Sequence, residues 1–347
     1  METTPERDRA VERLLTWYPH TADAAYPFLA PHRRRVPLDP LPASCHPLAF
    51  SVYDQALDWC ETERSNLVAA VHQAVAAGKP AIAWQLAAVL WGFFYIRGHL
   101  HDWLDTTRTA LDAARDAHDR TGEAYSLGDV ACALTQVHRF DEAIDHLRQM
   151  MALGRELGDA YFRYQALVNL GYSYRRIGRP DRAVEYCRRA LAIHRILGKA
   201  WGREGTILNN LGDADEQLGR FDEAIDCLEQ ALTVLRAIGD RWGEGVALDI
   251  LGTVHHRLRR HDDAVAYYLR ALDTHADIGN RWGQAHALSN LGDVHLTAGD
   301  PDAARASWQQ ALAILDKVDH PDAEEIRGRL RRLDEVCSER RDPTSSL

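Results

Sequence analysis

Seventeen histidines are the residues of this sequence that most directly suggest chemistry, because imidazole serves as a metal ligand and as a general base near neutral pH. The densest group is His255, His256 and His261. Helical zinc sites place two histidines one turn apart with a carboxylate beside them, as in H-E-x-x-H, so that the ligands share one helix face. The adjacent His255 and His256 leave a helix on different sides. We therefore predict no metal site.

A phosphate-binding loop is the second possibility, because Gly78-Lys79 matches the end of the pattern G-x-x-x-x-G-K-[ST]. Position 73 is Gln where the pattern has its first glycine, and Pro80 replaces the hydroxyl that binds magnesium. We interpret this glycine as a helix end. The sequence shows no Ser-His-Asp or Cys-His arrangement, and carboxylate pairs at helix starts are explained by the helix dipole. We predict neither an enzyme nor a cofactor.

Polar side chains that recur at one register suggest a third kind of chemistry, hydrogen bonding to an extended polypeptide. Asparagine can donate to and accept from a peptide backbone whatever side chains the partner carries. The alternative is a polar face that contacts only water. We predict that the following residues line a concave groove that binds a protein or peptide segment: Asn169, Tyr172, Arg175, Arg176, Asn209, Asn210, Asp213, Glu216, Gln217, Asp249, Thr253, His256, Arg257, His286, Asn290 and Asp293.

A repeated helical unit must position these residues, since small residues recur along the chain with one period. Glycines recur every 40 or 41 residues, at Gly171, Gly212, Gly252 and Gly292. Alanines recur at the same interval, at Ala143, Ala183, Ala224, Ala264 and Ala304. Within one unit, Leu167, Leu170, Gly171 and Tyr174 are spaced as on one face of an amphipathic helix, and a second helix follows the next turn. Each period therefore contains two helices.

This pattern resembles the tetratricopeptide repeat, whose small residues let paired helices approach closely. The resemblance predicts an all-α fold, a right-handed α-solenoid of about six tetratricopeptide-type helix pairs. An N-terminal helical segment and a C-terminal capping helix are expected at its ends. The expected divisions are a helical segment with a proline-rich strap at 1–77, the repeat array at 78–318, and the capping helix with a disordered tail at 319–347.

Charge and cysteine content argue against several classes of function. The formal net charge of -10 disfavours direct binding to nucleic acid or to an anionic membrane. The six cysteines form no C-x-x-C pair, which favours a reduced, cytoplasmic location. No run of about 18 apolar residues occurs, so we predict neither secretion nor a membrane span.

The front of the chain resembles the C-terminal arm of actinobacterial signal transduction ATPases, especially the AfsR-like Streptomyces antibiotic regulatory proteins. The stretches that carry this resemblance are His20–Ala25, Leu29–Arg35, Ala56–Trp59 and Glu63–Val71. In that family the repeat arm follows a DNA-binding domain and a nucleotide-binding switch. The resemblance implies a sensor arm that binds a protein or peptide segment, or its own upstream domains, and thereby controls antibiotic or secondary-metabolite genes.

Three functions remain open at this stage. The first is the regulatory arm just described, whose ATPase and DNA-binding machinery this sequence does not contain. The second is a stand-alone adaptor or peptide receptor, and the third is an accessory subunit that stabilises a biosynthetic enzyme. All three predict a protein or peptide partner without direct nucleic-acid contact, and an oligomer is compatible with each. A fragment and a free-standing gene product are both consistent with the sequence.

Overall fold

The computed structural model describes residues 4–30, 33–197 and 204–341, and all regular secondary structure in them is helical. The helices are α1 (Thr4–Leu29), α2 (Tyr53–Thr62), α3 (Arg64–Ala76), α4 (Pro80–Val89), α5 (Trp91–Arg97), α6 (Leu100–Asp116), α7 (Arg120–Gln136), α8 (Phe140–Glu156), α9 (Ala160–Arg176), α10 (Pro180–Leu197), α11 (Glu204–Gln217), α12 (Phe221–Ile238), α13 (Arg241–Arg257), α14 (His261–Asp277), α15 (Arg281–Thr297), α16 (Pro301–Lys317) and α17 (Asp322–Arg341). The predicted all-α class is confirmed.

The chain divides into two compact units. Unit 1 consists of Met1–Tyr95 and His99–Arg203, and unit 2 consists of Glu204–Leu347 with the short segment Ile96–Gly98. In unit 1 each helix from α6 to α10 packs on the next, and in unit 2 the same holds from α11 to α17. Each unit is therefore a stack of helix pairs of the solenoid type, as the sequence predicts.

Side-chain caps fix where the first helix of a pair begins. The Asp240 Oδ1 accepts a hydrogen bond of 2.9 Å from the Gly243 amide at the start of α13, and Asn280 does the same for Gly283 of α15 at 3.0 Å. Both bonds satisfy amide groups that have no partner inside the helix. The preceding α12 is capped after Ile238 by Gly239, whose φ of 72° suits glycine. The capping residues in the sequence thus coincide with the observed starts of α13 and α15 and the end of α12.

The glycines of the first helices are required by the large side chains of the second helices. A Cβ on Gly252 would lie 2.7 Å from the ring of Tyr268, and one on Gly292 would lie 2.3 Å from the indole of Trp308. Tyr268 and Trp308 are almost completely buried in the interior of unit 2. The period-40 small residues therefore set the distance between paired helices, which in turn sets where the polar face of each first helix lies.

Residues 33–52 connect α1 to α2 without forming a helix. We call residues 33–50 the strap, following the proline-rich strap expected from the sequence. At the other end of the chain, α17 extends to Arg341. The tail predicted to be disordered falls partly on residues 342–347, which lie outside the described residues.

Candidate functional site

The predicted groove residues of unit 2 lie on three consecutive first helices, α11, α13 and α15. Helix α11 contacts α13, and α13 contacts α15, so these helices form a continuous layer. We call their polar side chains the unit 2 wall. Its members are Asn209, Asn210, Asp213, Glu216, Gln217, Asp249, Thr253, His256, Arg257, His286, Asn290 and Asp293.

Two contacts made by wall residues join α11 to α13. The side-chain amide of Asn209 donates a hydrogen bond of 2.9 Å to the Gly243 carbonyl, and the Arg257 Nε lies 3.7 Å from the Glu216 Oε1. Asn209 and Glu216 are 2% and 4% exposed, so they lie between the helices and not on an open surface. Asn210 is buried as well. These side chains fix the spacing of the wall.

Asp249 on α13 forms the most deeply buried polar cluster of the wall. Its Oδ2 lies 3.1 Å from the His275 Nε2 and 3.7 Å from the His286 Nδ1, and the other side of the His275 ring lies 3.2 Å from the Asn280 amide. Burial alone would raise the pKa of Asp249, but the hydrogen bond from His275 and the nearby imidazole of His286 hold that pKa below its usual range.

His275 fits in this cluster because glycines face its ring. A Cβ on Gly245 or on Gly283 would lie 2.5 Å from ring atoms of His275. The imidazole therefore fills a slot between α13 and α15, where its exposed fraction is 0%. The Asp249 Oδ1, also buried, has no hydrogen-bond partner among the described residues.

Helix α15 carries the last three members of the wall. His286 stacks on Trp282 with ring centroids 5.2 Å apart, and its Nδ1 lies 3.4 Å from the Asn290 amide. One guanidinium nitrogen of Arg329 on α17 lies 2.6 and 2.7 Å from the two carboxylate oxygens of Asp293. Arg329 also donates to the Ser289 hydroxyl at 3.0 Å. The capping helix thus covers one edge of the wall with an arginine.

The remaining members of the unit 2 wall are half-buried or exposed. His256 reaches from α13 to α15, where its Nε2 lies 2.8 Å from the Thr297 hydroxyl. Thr253 bonds to the Tyr268 hydroxyl at 2.9 Å, and Gln217 lies 3.5 Å from Asp213 on the same helix. Arg257 and Gln217 are exposed. These side chains offer both donors and acceptors to a bound segment.

In unit 1 the predicted groove residues lie on α9. The amide of Asn169 points to the Cys132 sulfur of α7 at 3.5 Å. Arg176 donates to the Tyr172 hydroxyl at 3.0 Å, and the Arg175 guanidinium lies 5.0 Å from the Tyr172 ring centroid. All four residues are half-buried. They form a cationic and aromatic surface, unlike the largely acidic and amide surface of unit 2.

The structure adds a site on unit 1 that the groove prediction missed. Asp129 of α7 is 3% exposed and pairs with Arg33 of the strap at 3.3 Å. A signal for it was present, because Asp129 precedes Asn169 by 40 residues and so occupies the same register. The unit 1 wall therefore consists of Asp129, Asn169, Tyr172, Arg175 and Arg176.

These walls can form hydrogen bonds, ion pairs and aromatic contacts. Among the residues described, no group of three or more His, Cys, Asp or Glu side chains is placed to hold a metal ion. No described helix is long and apolar enough to cross a membrane. The arrangement is suited to recognising a polypeptide.

Comparisons with known proteins agree on the repeat. Residues 162–237 and 245–317 match the tetratricopeptide repeat family. The regulatory protein AfsR of Streptomyces griseus is 31% identical over 165 residues, which cover 46% of this chain and 16% of that protein. The chain thus matches a small part of its curated relative.

Two solved structures share the fold. One is NprR in complex with its cognate peptide NprX, with a TM-score of 0.56 and 13% identity, covering 81% of this chain and 81% of that chain. The other is a signal transduction ATPase with numerous domains from Pyrococcus horikoshii that carries a tetratricopeptide repeat sensor. Its TM-score is 0.50 at 15% identity, covering 81% of this chain and 44% of that chain.

Proposed function

We propose that this chain is the protein- or peptide-binding regulatory arm of a transcriptional regulator of antibiotic or secondary-metabolite genes. Binding on the walls would bias a nucleotide-binding switch that is not among these residues. The observation that carries the proposal is the unit 2 wall, a layer of polar side chains over three successive first helices. The 31% identity to a part of AfsR supports the regulatory context.

Binding, and not catalysis, is what the wall chemistry supports. Its exposed and half-buried members are amides, carboxylates, imidazoles and guanidinium groups, which match the donors and acceptors of an extended backbone. Its buried members, such as Asn209 and Asp249, hold neighbouring helices in place. A prearranged wall lowers the entropy cost of binding a flexible segment.

A complementation experiment in the native host tests this function. The gene is replaced by a variant with Asn169→Ala, His256→Ala and Asn290→Ala, which removes half-buried wall side chains while keeping helix propensity. Transcription of the neighbouring biosynthetic genes is measured at equal protein level. We expect the variant to lose regulation.

The matched control carries Gln230→Ala, Asp273→Ala and Gln310→Ala, three exposed positions on second helices. This control should regulate like the natural protein. Full regulation by the wall variant would show that the walls have no part in the function.

A stand-alone adaptor or peptide receptor is the second candidate. It is favoured by the shared fold with NprR, which was solved with a cognate peptide. The length of the native reading frame separates the two candidates. A phosphate-binding loop and a DNA-binding domain in the same frame would identify a regulator's arm, and a frame without them would identify the adaptor.

A further inference from the structure

The N-terminal end of the strap lies on α7, where it contacts the unit 1 wall at Asp129. Its Arg33 pairs with Asp129, which shares the register of the predicted asparagines. Residues 34–42 of the strap form no helix and include Pro37, Pro40 and Pro42, which lack a backbone donor and favour a polyproline-like conformation. An extended segment bound by side chains is the kind of ligand that the wall was predicted to take.

The Asp129 site has the chemistry of an arginine receptor. The Arg33 guanidinium lies 4.2 Å from the Trp91 ring centroid and 3.3 Å from the Asp129 Oδ1. Aromatic rings attract a guanidinium across their faces, and a carboxylate binds its edge. The site therefore provides both of the contacts that distinguish arginine from a neutral side chain.

Neighbouring contacts extend this recognition along the strap. The Arg34 guanidinium lies 2.7 Å from the Asp159 Oδ2 and 5.2 Å from the Tyr161 ring centroid. Val36 is 5% exposed, and Gln85 donates to the Pro37 carbonyl at 2.9 Å. The site thus accommodates two adjacent arginines followed, after one residue, by an apolar side chain.

The Arg33 guanidinium is only partly hydrogen-bonded. Its Nε and Nη1 are buried without a hydrogen-bond partner among the described residues, although a guanidinium carries five donors. In unit 2, by contrast, Arg329 contacts both oxygens of Asp293 and also Ser289. A buried ion pair with unsatisfied donors gains little over its desolvation cost. Arg33 is therefore held by fewer polar contacts than Arg329.

The rest of the strap is tied to α1 and not to the wall. The Trp17 indole donates to the His46 carbonyl at 3.0 Å, the Leu48 amide donates to the Thr21 hydroxyl at 3.3 Å, and Arg35 pairs with Asp23. The Asp129 site opens when the segment 33–37 leaves, which also breaks the Arg35–Asp23 pair and the hydrogen bond from the Tyr26 hydroxyl to the Arg34 carbonyl.

We propose that the Asp129 site binds an extended, arginine-bearing segment of a partner protein, and that the strap is its resident occupant. This inference rests on the proposed binding role of the walls and adds a ligand chemistry and a competitor. A partner segment with two adjacent arginines displaces Arg33 and Arg34. The strap raises the concentration of partner segment that is needed for binding, because a tethered competitor acts at an effective concentration of roughly millimolar.

A synthetic fluorescent peptide that copies residues 33–42 tests the proposal with the full chain. Fluorescence anisotropy measures its affinity for the natural protein, for an Arg33→Ala/Arg34→Ala variant with an emptied site, and for that variant with Asp129→Asn added. We expect the emptied site to bind at least about tenfold more tightly than the natural protein, since the tethered competitor is gone. Asp129→Asn should remove that gain.

Two controls keep the result decisive. A peptide with alanine in place of Arg33 and Arg34 should not bind the emptied site. If the alanine variant fails to fold by circular dichroism, an Arg33→Lys/Arg34→Lys variant keeps the charge and loosens the planar contacts, and it should bind the peptide more tightly than the natural protein. Equal binding by the natural and emptied proteins, or by the alanine peptide, would overturn the proposal.

The outcome is independent of the complementation experiment. Loss of peptide binding at the Asp129 site would leave regulation through Asn169, His256 and Asn290 untouched. Loss of the proposed function would appear as full regulation by the wall variant, whatever the peptide does.

Discussion

The period-40 glycines of the first helices pack against large rings, so adding one methyl group at such a glycine would disturb the packing of a helix pair. Replacing Gly292 with alanine would put a Cβ 2.3 Å from the Trp308 Nε1. We expect Gly292→Ala to lower the free energy of unfolding by about 1–3 kcal/mol through overpacking. Urea unfolding followed by circular dichroism measures the change.

Gly328 on α17 is the matched control for that substitution. A Cβ there would meet nothing closer than 3.5 Å. Gly328→Ala should therefore stabilise the protein by up to about 1 kcal/mol, because alanine has the higher helix propensity. Similar destabilisation by both substitutions would show that the cost at Gly292 does not come from Trp308.

The Asp249 cluster predicts a pH-dependent contribution to stability. His275 and His286 lower the pKa of Asp249 despite its burial, so the folded state favours the ionised carboxylate more than the unfolded state does. That contribution is present above the unfolded pKa of about 3.9 and is lost as the pH falls through the folded pKa. The stability difference between the natural protein and Asp249→Asn should therefore shrink below about pH 4.

Urea unfolding at pH 7, 5 and 3.5 tests this, with the exposed Asp273→Asn as the control. The control should change little at any of these values. A constant difference for Asp249→Asn across the series would contradict the assigned contacts with the histidines.

The sequence predicted which helix face carries the polar residues but not their depth. The sequence pattern predicts Asn209 and Asp249 in a groove, whereas both are buried between helices. Helical periodicity gives the direction of a side chain around its own axis. How far a neighbouring helix covers that side chain depends on the pairing distance, which the glycines and aromatic rings set only in three dimensions.

At the scale of elements, the helices from α7 to α16 follow from the repeat period, whereas the docking of the strap does not. Arg33 and Asp129 are 96 residues apart and belong to no shared periodic pattern. The register of Asp129 could have marked it as a wall residue. Its partner could not be predicted, because an extended segment carries no signal of where it binds.

The strap makes a specific prediction for the Asp129 carboxyl. Burial raises the pKa of Asp129 to about 6, although Arg33 opposes the rise. Replacing Arg33 with Gln removes the opposing charge, so the pKa should move above 6. Carbon-detected NMR titration of the side-chain carboxyl measures it, with Arg35→Gln as a control because Arg35 pairs with Asp23 instead.

The raised pKa of Asp129 also determines how this carboxyl affects stability as the pH changes. The folded pKa of Asp129 is higher than its unfolded value, so its ionisation costs stability as the pH rises from about 4 to 6. An unchanged carboxyl titration in the Arg33→Gln variant would show that the strap does not lie on α7 in solution.

Asn280 has two roles, because it caps α15 and also contacts the His275 ring on α14. Its Oδ1 caps α15 through the Gly283 amide, and its Nδ2 lies 3.2 Å from the His275 Nδ1. Serine can still cap α15 but cannot reach the His275 ring. Asn280→Ser should therefore lower the free energy of unfolding by less than Asn280→Ala, which loses about 0.5–2 kcal/mol from the missing cap alone. Thermal unfolding compares the two.

Asp300 provides the comparison for a cap without a buried ring. It accepts from the Ala303 amide at 2.9 Å in an exposed position. Asp300→Ser should resemble the natural protein, since serine is also a good cap. Equal losses of stability in Asn280→Ser and Asn280→Ala would show that Asn280 stabilises the protein through His275 alone and not through the cap.

At the scale of the whole molecule, the acidic balance agrees with the proposed ligand. A net charge of -10 attracts a basic segment and speeds its encounter at low salt. The contact itself is local, because Asp129 is almost completely buried.

The division into two units predicts where a local perturbation is felt. Gly292 lies in unit 2, against Trp308 and the core that includes Leu288 and Leu315. Repeat stacks gain stability from contacts between neighbours, so strain at one pair lowers protection in adjacent helices first. In hydrogen exchange followed by mass spectrometry, Gly292→Ala should speed exchange in α13–α16 and leave α7–α9 of unit 1 unchanged. Faster exchange in both units would mean that the chain opens as one cooperative body, and the same substitution would then weaken the Asp129 site as well.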